Sequence, residues 1–206
     1  ARRPRAVIGY SDNTALHLGI QRLGMVSFHG PHPATQELNS FSRDGLLRAV
    51  LSTEPSGVLP FPVDASPVGA ITGGVAEGRL VGGNLSLIAA TLGTPFAIRS
   101  EGAILFLEEV GEAPYRVDRL LQQLRLAGVL DGVAGIALGG FTEAGEGADS
   151  PGVLDVVADV LGRLGVPVAH GFPFGHVDDN WTLPVGVRAR LDADAGTLAL
   201  LEPAVA

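Results

Sequence analysis

The stretch AVIGYSDNTALHLGI, residues 6–20, changes its periodicity at the centre. A short apolar run stops at Gly9, and an apolar spacing of helical type begins just after Ser11. Residues 6 to 10 therefore read as a buried strand and 12 to 23 as a helix ended by Gly24, with Ser11 at the corner between them. This is where α/β enzymes place a nucleophile. The turn lifts Oγ out of the sheet, and the backbone N–H groups that follow sit at a helix N-terminus, where negative charge is favoured. A nucleophile at Ser11 requires a base and a group to orient that base from the rest of the chain.

Outward from this corner the same alternation continues. Met25 to Phe28 reads as a second short strand, running into the turn-rich His29-Gly30-Pro31-His32-Pro33. Residues 41 to 51 read as a helix. Residues 53–67 are rich in Pro, Ser and Gly without helical spacing and read as a linker, dividing the chain into residues 1–52 and 68–206. Beyond it, 76–81 reads as a strand, and Gly82-Gly83-Asn84 then leads into a helix through Leu85, Leu87, Ile88 and Leu92. Ala103 to Leu107 is a strand buried on both faces, closing on Glu108-Glu109. A helix follows from Pro114. Residues 133–138 form another strand, closed by Gly139-Gly140, 152–164 a helix and 167–169 a short strand. Residues 183–191 and 197–201 form a final β pair around Asp194-Ala195-Gly196. Strands alternating with helices indicate an α/β fold.

The chain has 206 residues, 46% of them hydrophobic, enough for one large domain or two small ones with real cores. The formal net charge of −8 argues against a nucleic-acid or anionic-membrane surface. Its only basic cluster, Arg2, Arg3 and Arg5, reads as a solvated edge. There are no cysteines, which excludes disulfides, thiol nucleophiles and Cys-ligated zinc. No signal peptide or membrane-spanning stretch is readable, and the Ala/Gly/Val/Arg-rich composition fits a cytoplasmic bacterial-type protein.

Three further groups can carry chemistry. Glu108 and Glu109 end a buried strand, where α/β folds present functional groups. Neighbours on a strand face opposite ways, so one of the two faces a cleft, and the residues leave open which; the plain alternative is a pair of solvated charges. His176 lies in the loop FPFGHVDDNW, residues 172–181, and an imidazole there can act as general base. Its plain alternative is a loop histidine paired with Asp178 or Asp179. His17 reads as a satisfied, partly buried helix residue, and His29, His32 and His170 as turn and packing residues. A metal site from His29, His32, His170, His176 and Asp178 has suitable ligand types but lacks the HExxH spacing. Gly82-Gly83-Asn84 lacks a Walker lysine and reads as close backbone approach with Asn84 as N-cap. The order Ser11, Glu108, His176 is one of the known triad orders, a weak signal because triads recur in several orders.

Four segments carry a stronger one: IGYSDNTALH (8–17), GRLVGGNLSLI (78–88), ILFLEEVGEAPYRVDRLLQQL (104–124) and GHVDDNWTLPVG (175–186). In this order they resemble the LD-carboxypeptidases, or murein tetrapeptide carboxypeptidases, a family of serine peptidases. The resemblance implies Ser11 as nucleophile, Glu108 as the acid of the triad with Glu109 as its outward neighbour, His176 as base and the Asp12 N–H as oxyanion donor. It implies an N-terminal parallel α/β domain carrying the serine and a C-terminal mixed β/α domain carrying glutamate and histidine, with a cleft between them. No metal or organic cofactor is implied. The implied substrate is a muropeptide tetrapeptide, the implied role cytoplasmic peptidoglycan recycling, and the implied assembly a homodimer. Family members carry an α/β segment with an RGGYG-like motif ahead of the serine turn. Residues 1–52 are therefore expected to be the remnant of a larger N-terminal domain whose oxyanion hole keeps the Asp12 donor. The microcin C self-immunity peptidases share the fold and triad but cleave aminoacyl-nucleotide conjugates, with an aromatic on an extra loop stacking on the base. Here the only tryptophan is Trp181, in the histidine loop, which favours the cell-wall substrate.

Overall fold

A computed structural model describes residues 5–32, 34, 37–145 and 151–205. Arg2 and Arg3 of the basic cluster and Pro33 of the turn-rich stretch lie outside the described residues. The elements in chain order are β1 (Ile8–Gly9), a 3₁₀ turn (Ser11–Asn13), α1 (Thr14–Arg22), β2 (Ser27–His29), α2 (Ser40–Leu51), β3 (Gly57–Val58), β4 (Gly69–Thr72) and β5 (Val75–Asn84). They continue with α3 (Leu85–Ala90), β6 (Ile104–Val110), α4 (Pro114–Leu126), β7 (Gly135–Thr142), α5 (Val153–Leu161), a second 3₁₀ turn (Gly162–Leu164), β8 (Val168–His170), β9 (Leu183–Val185), β10 (Arg188–Asp192) and β11 (Thr197–Leu200).

The fold is mixed α/β. A three-stranded sheet has the order β1-β2-β9, and an eight-stranded sheet the order β3-β11-β10-β5-β6-β7-β8-β4. The centre of the large sheet, β5-β6-β7-β8, is parallel, and its flanks are antiparallel. Parallel strands need covering on both faces, and the chain supplies two cores. Leu105 and Leu107 point into one with Leu85, Val117, Leu121 and Val157 of the helices. Ile104 and Phe106 point into the other with Phe172, Phe174, Trp181 and Leu183. This alternation along β6 decides which way its two terminal glutamates face.

Several expectations are corrected. The strand expected over 76–81 runs on: β5 continues through Gly82-Gly83-Asn84, which pair with Phe106, Leu107 and Glu108. β7 likewise passes through Gly139-Gly140 and ends at Thr142. The expected strand over 183–191 is broken into two. Gly186, at φ +102°, turns the chain out of the small sheet, where β9 pairs with β2, and into the large one, where β10 pairs with β5. β4 is a strand that the sequence reading did not place. Within residues 53–67, β3 pairs with β11, and the Pro60 carbonyl accepts a hydrogen bond from Trp181 Nε1 at 2.6 Å. Among the described residues no helix is long and apolar enough to cross a membrane.

Candidate active site

Ser11 stands where the sequence change placed it. Tyr10 is extended, Ser11 has φ +58°, and the 3₁₀ turn feeds directly into α1. A positive φ on a serine costs of order 1–3 kcal/mol and persists only where the surroundings enforce it. Within the turn, the Asn13 N–H donates to the Tyr10 carbonyl at 3.2 Å. The Asp12 N–H precedes it, as a donor at the start of a helical segment.

Buried groups fasten the corner from below. The Gly9 carbonyl accepts hydrogen bonds from His17 Nε2 at 2.7 Å and from the Gly30 N–H at 3.2 Å. Because His17 Nε2 must donate to a carbonyl, its Nδ1 accepts from Ser27 Oγ, 2.9 Å away. Burial pushes His17 below the ordinary imidazole value against the opposing effect of the Gly9 carbonyl. His29 is wholly buried among Tyr10, Phe106 and Phe174. Among the described residues neither of its ring nitrogens has a hydrogen-bond partner, and burial, with His17, His176 and His32 adding, holds it well below the ordinary value.

The histidine loop presents the second half of the site. His176 Nδ1 donates to Glu108 Oε2 at 2.7 Å. Glu108 is fully buried and shares the Ile104–Phe106 face of β6. The hydrogen bond to Glu108 raises His176 above the ordinary imidazole value, with burial working against it and the charges of Glu108, Glu109 and Glu143 adding to it. The partner of His176 is therefore Glu108, not Asp178 or Asp179.

Glu109 is neither solvated nor outward. It is 4% exposed on the opposite face, where it accepts from Asn84 Nδ2 and the Ser86 N–H, each at 2.8 Å, and from its neighbour's Val110 N–H at 3.0 Å. Asn84 in turn caps α3 by accepting from the Leu87 N–H, as its position before the helix predicts. The Asn84 N–H donates to Thr14 Oγ1, tying the end of β5 to the start of α1. A cleft need not explain both carboxylates, because a buried helix N-terminus satisfies the second one.

Three positioning groups went unread in the sequence. Asn180 clamps the Gly175 backbone on both sides, donating to its carbonyl at 2.7 Å and accepting from its N–H at 3.3 Å. Ser42 of α2 accepts from the Asn180 N–H and donates to the Asp178 carbonyl. Asn39, the N-cap of α2, reaches the Asp178 carbonyl and the Asp179 carboxylate. The N-cap had a local signal, and Asn180 lies only five residues from Gly175; the contacts of Asn39 and Ser42 with the histidine loop join residues over 130 positions apart.

The two halves meet at Tyr10. Its ring lies edge-on to His176, centroids 4.7 Å apart, and stacks on His32, also at 4.7 Å. The residue before Ser11 thus touches the imidazole that Glu108 holds. His170 lies apart on β8, and among the described residues no cluster of three His, Asp or Glu side chains is placed to hold a metal.

A mixed α/β sheet with a buried carboxylate orienting an imidazole beside a strained strand-to-helix corner defines a class, that of α/β proteins with a histidine–glutamate dyad at a sheet end. Residues 77–191 match the family described as LD-carboxypeptidase C-terminal domain, and the chain belongs to that family. A Streptomyces coelicolor relative named "Putative carboxypeptidase" is 43% identical across 98% of this chain. The muramoyltetrapeptide carboxypeptidase of Oxalobacter formigenes superposes with a TM-score of 0.81 at 33% identity, covering 95% of this chain and 68% of that one. The microcin self-immunity protein MccF, solved with glutamyl sulfamoyl guanosine, superposes with a TM-score of 0.85 at 28% identity, covering 100% and 70%. The chain spans 64% of the length of the Streptomyces relative.

Proposed function

We propose that this chain carries the triad of a serine carboxypeptidase that releases the terminal D-alanine from muropeptide tetrapeptides. The observation that carries the reading is the 2.7 Å His176–Glu108 pair, walled by the Tyr10 ring next to the strained Ser11. With Nδ1 committed to Glu108, His176 Nε2 is the nitrogen available as base. Ser11 Oγ attacks the carbonyl of the residue preceding D-alanine while Nε2 takes the hydroxyl proton. The Asp12 N–H faces the developing oxyanion. The C–N bond then breaks, and Nε2 returns the proton to the leaving amine. Water, deprotonated by the same nitrogen, releases the acyl group and restores Ser11. Glu108 keeps one tautomer in place and stabilises the imidazolium at each transfer. The chemistry needs no cofactor.

The cell-wall substrate is favoured over an aminoacyl nucleotide because Trp181 is unavailable for base stacking. It is 3% exposed, packs against Phe61 and Phe172 and donates to Pro60. Family membership supports a role in cytoplasmic peptidoglycan recycling and a homodimeric assembly, the latter testable by light scattering. A fluorophosphonate should label the chain at Ser11 and leave Ser11→Ala unlabelled; equal labelling of the variant refutes the nucleophile. Release of D-alanine from a tetrapeptide, undiminished by chelator, checks the reaction and its independence of metal.

A further inference from the structure

We propose that His32 is a positioning residue for this site: a neutral imidazole protonated on Nδ1, whose Nε2 holds the Tyr10 backbone N–H before Ser11 and the Asn13 side-chain amide after it, and whose ring backs the Tyr10 wall of His176. The proposal rests on the serine-peptidase reading for its catalytic consequence, but its geometry stands independently. His32 Nε2 lies 3.3 Å from the Tyr10 backbone nitrogen and 2.9 Å from Asn13 Nδ2. A backbone N–H can only donate, so Nε2 must offer its lone pair and the ring proton of the neutral form belongs on Nδ1. The same constraint turns the Asn13 amide so that its NH₂ faces the ring. Tyr10 and Asn13 flank Ser11, one position before it and two after. One acceptor therefore ties together the two ends of the segment that carries the φ of +58°, a conformation disfavoured for serine by Cβ crowding.

Packing reinforces the tie. The His32 and Tyr10 rings are stacked at an interplanar angle of 24°, and Tyr10 meets His176 at 72°. The ring also sits close against the strand: a Cβ at Gly9 would lie 2.9 Å from His32 Cδ2. A shift of His32 thus moves the nucleophile's backbone and the wall of the base together. His32 itself enters no proton transfer in the reaction as drawn.

The experiment combines long-range ¹H–¹⁵N NMR of the His32 ring at neutral pH with kinetics of wild type, His32→Leu and His32→Gln, each also checked for thermal stability. The expected ring is the Nδ1–H tautomer. His32→Leu should label with fluorophosphonate about 100-fold more slowly, the scale of a roughly 1 Å misplacement. Its kcat should fall while KM for a tetrapeptide stays within about threefold. His32→Gln, whose Oε1 can accept both hydrogen bonds, should recover to within about tenfold of wild type. A His32 ring protonated on Nε2 overturns the proposal. So does a folded leucine variant that reacts as wild type, or a folded glutamine variant no faster than leucine. If His32→Leu does not fold, the tautomer and the glutamine variant decide. If wild type itself is not labelled at Ser11, the peptidase reading falls, and the tautomer alone decides the role of His32.

Discussion

His176 is held by one short hydrogen bond to a carboxylate that water does not reach, and its pH behaviour follows. Its value is raised, Glu108 being the first cause. As a base it must be deprotonated, so kcat/KM should rise with pH through a value above the ordinary 6.5 of imidazole and fall away on the acid side. The stability contribution runs the other way: present in full below the unfolded value, it is lost as pH rises through the folded one. A pH–rate profile checks the first; an acid limb centred below the ordinary value contradicts it. Glu108→Gln keeps the shape and removes the charge, and should lower kcat by about 10³–10⁴-fold with the fold intact. Gly175→Ala should impair both rate and stability, because its Cβ would lie 2.6 Å from that of Glu108 at φ +100°; strain at such a position costs about 1–3 kcal/mol. The corner at Ser11 and the loop carrying His176 were legible because each sits in a local pattern, a change of periodicity and a polar-aromatic run. The choice between Glu108 and Glu109 was not legible from the residues, since alternation says that the two differ without saying which face meets the histidine. Resemblance chose Glu108, but it wrongly turned Glu109 outward.

At the scale of elements, the junction of β5, β6 and α3 shows why both glutamates are buried. α3 begins directly at the end of β5, so its first N–H groups open into the protein rather than into water. Asn84 and Glu109 answer them together. Glu109→Ala would leave the Ser86 N–H and the Asn84 amide without their acceptor, at a cost of about 2–4 kcal/mol. Urea denaturation should show that loss, while the labelling rate of the folded fraction stays near wild type. A variant of undiminished stability but reduced kcat would instead give Glu109 a part in catalysis. The elements read best in the sequence were those with one periodicity and a sharp end, such as α4 behind Pro114. Gly82-Gly83 reads correctly as a close backbone approach, but both glycine pairs read as strand ends, and glycine sits inside closely packed strands as readily as beyond them. Gly82 shows this: a Cβ there would run into the Phe106 backbone. The break at Gly186 was hidden for a related reason, since the partner of each half-strand lies far away in the chain.

At the scale of the molecule, the small sheet and the large one meet over His29, which β2 projects between Tyr10 on one side and Phe106 and Phe174 on the other. Two unpartnered nitrogens in that position are an energetic cost at every pH. They are tolerable only while the ring is neutral, and burial keeps it so. Unfolding returns the ring to water, where it takes up a proton below pH about 6.5. The unfolded chain therefore binds more protons than the folded one in that range, and stability falls as the pH falls. Each such histidine contributes about 1.4 kcal/mol per pH unit once well below its unfolded value. His17, lowered in the same direction, adds to the slope. His29→Leu replaces the ring with an apolar side chain of similar volume and removes its share. The variant should match or exceed wild type at pH 7 and lose stability less steeply between about pH 6.5 and pH 5, the difference approaching one proton. Denaturant unfolding at several pH values measures it, because the carboxylates that also titrate in acid are common to both proteins. Parallel slopes for the two would mean that His29 is already protonated, or exposed, in the folded state, and that the join between the sheets is looser than its burial describes.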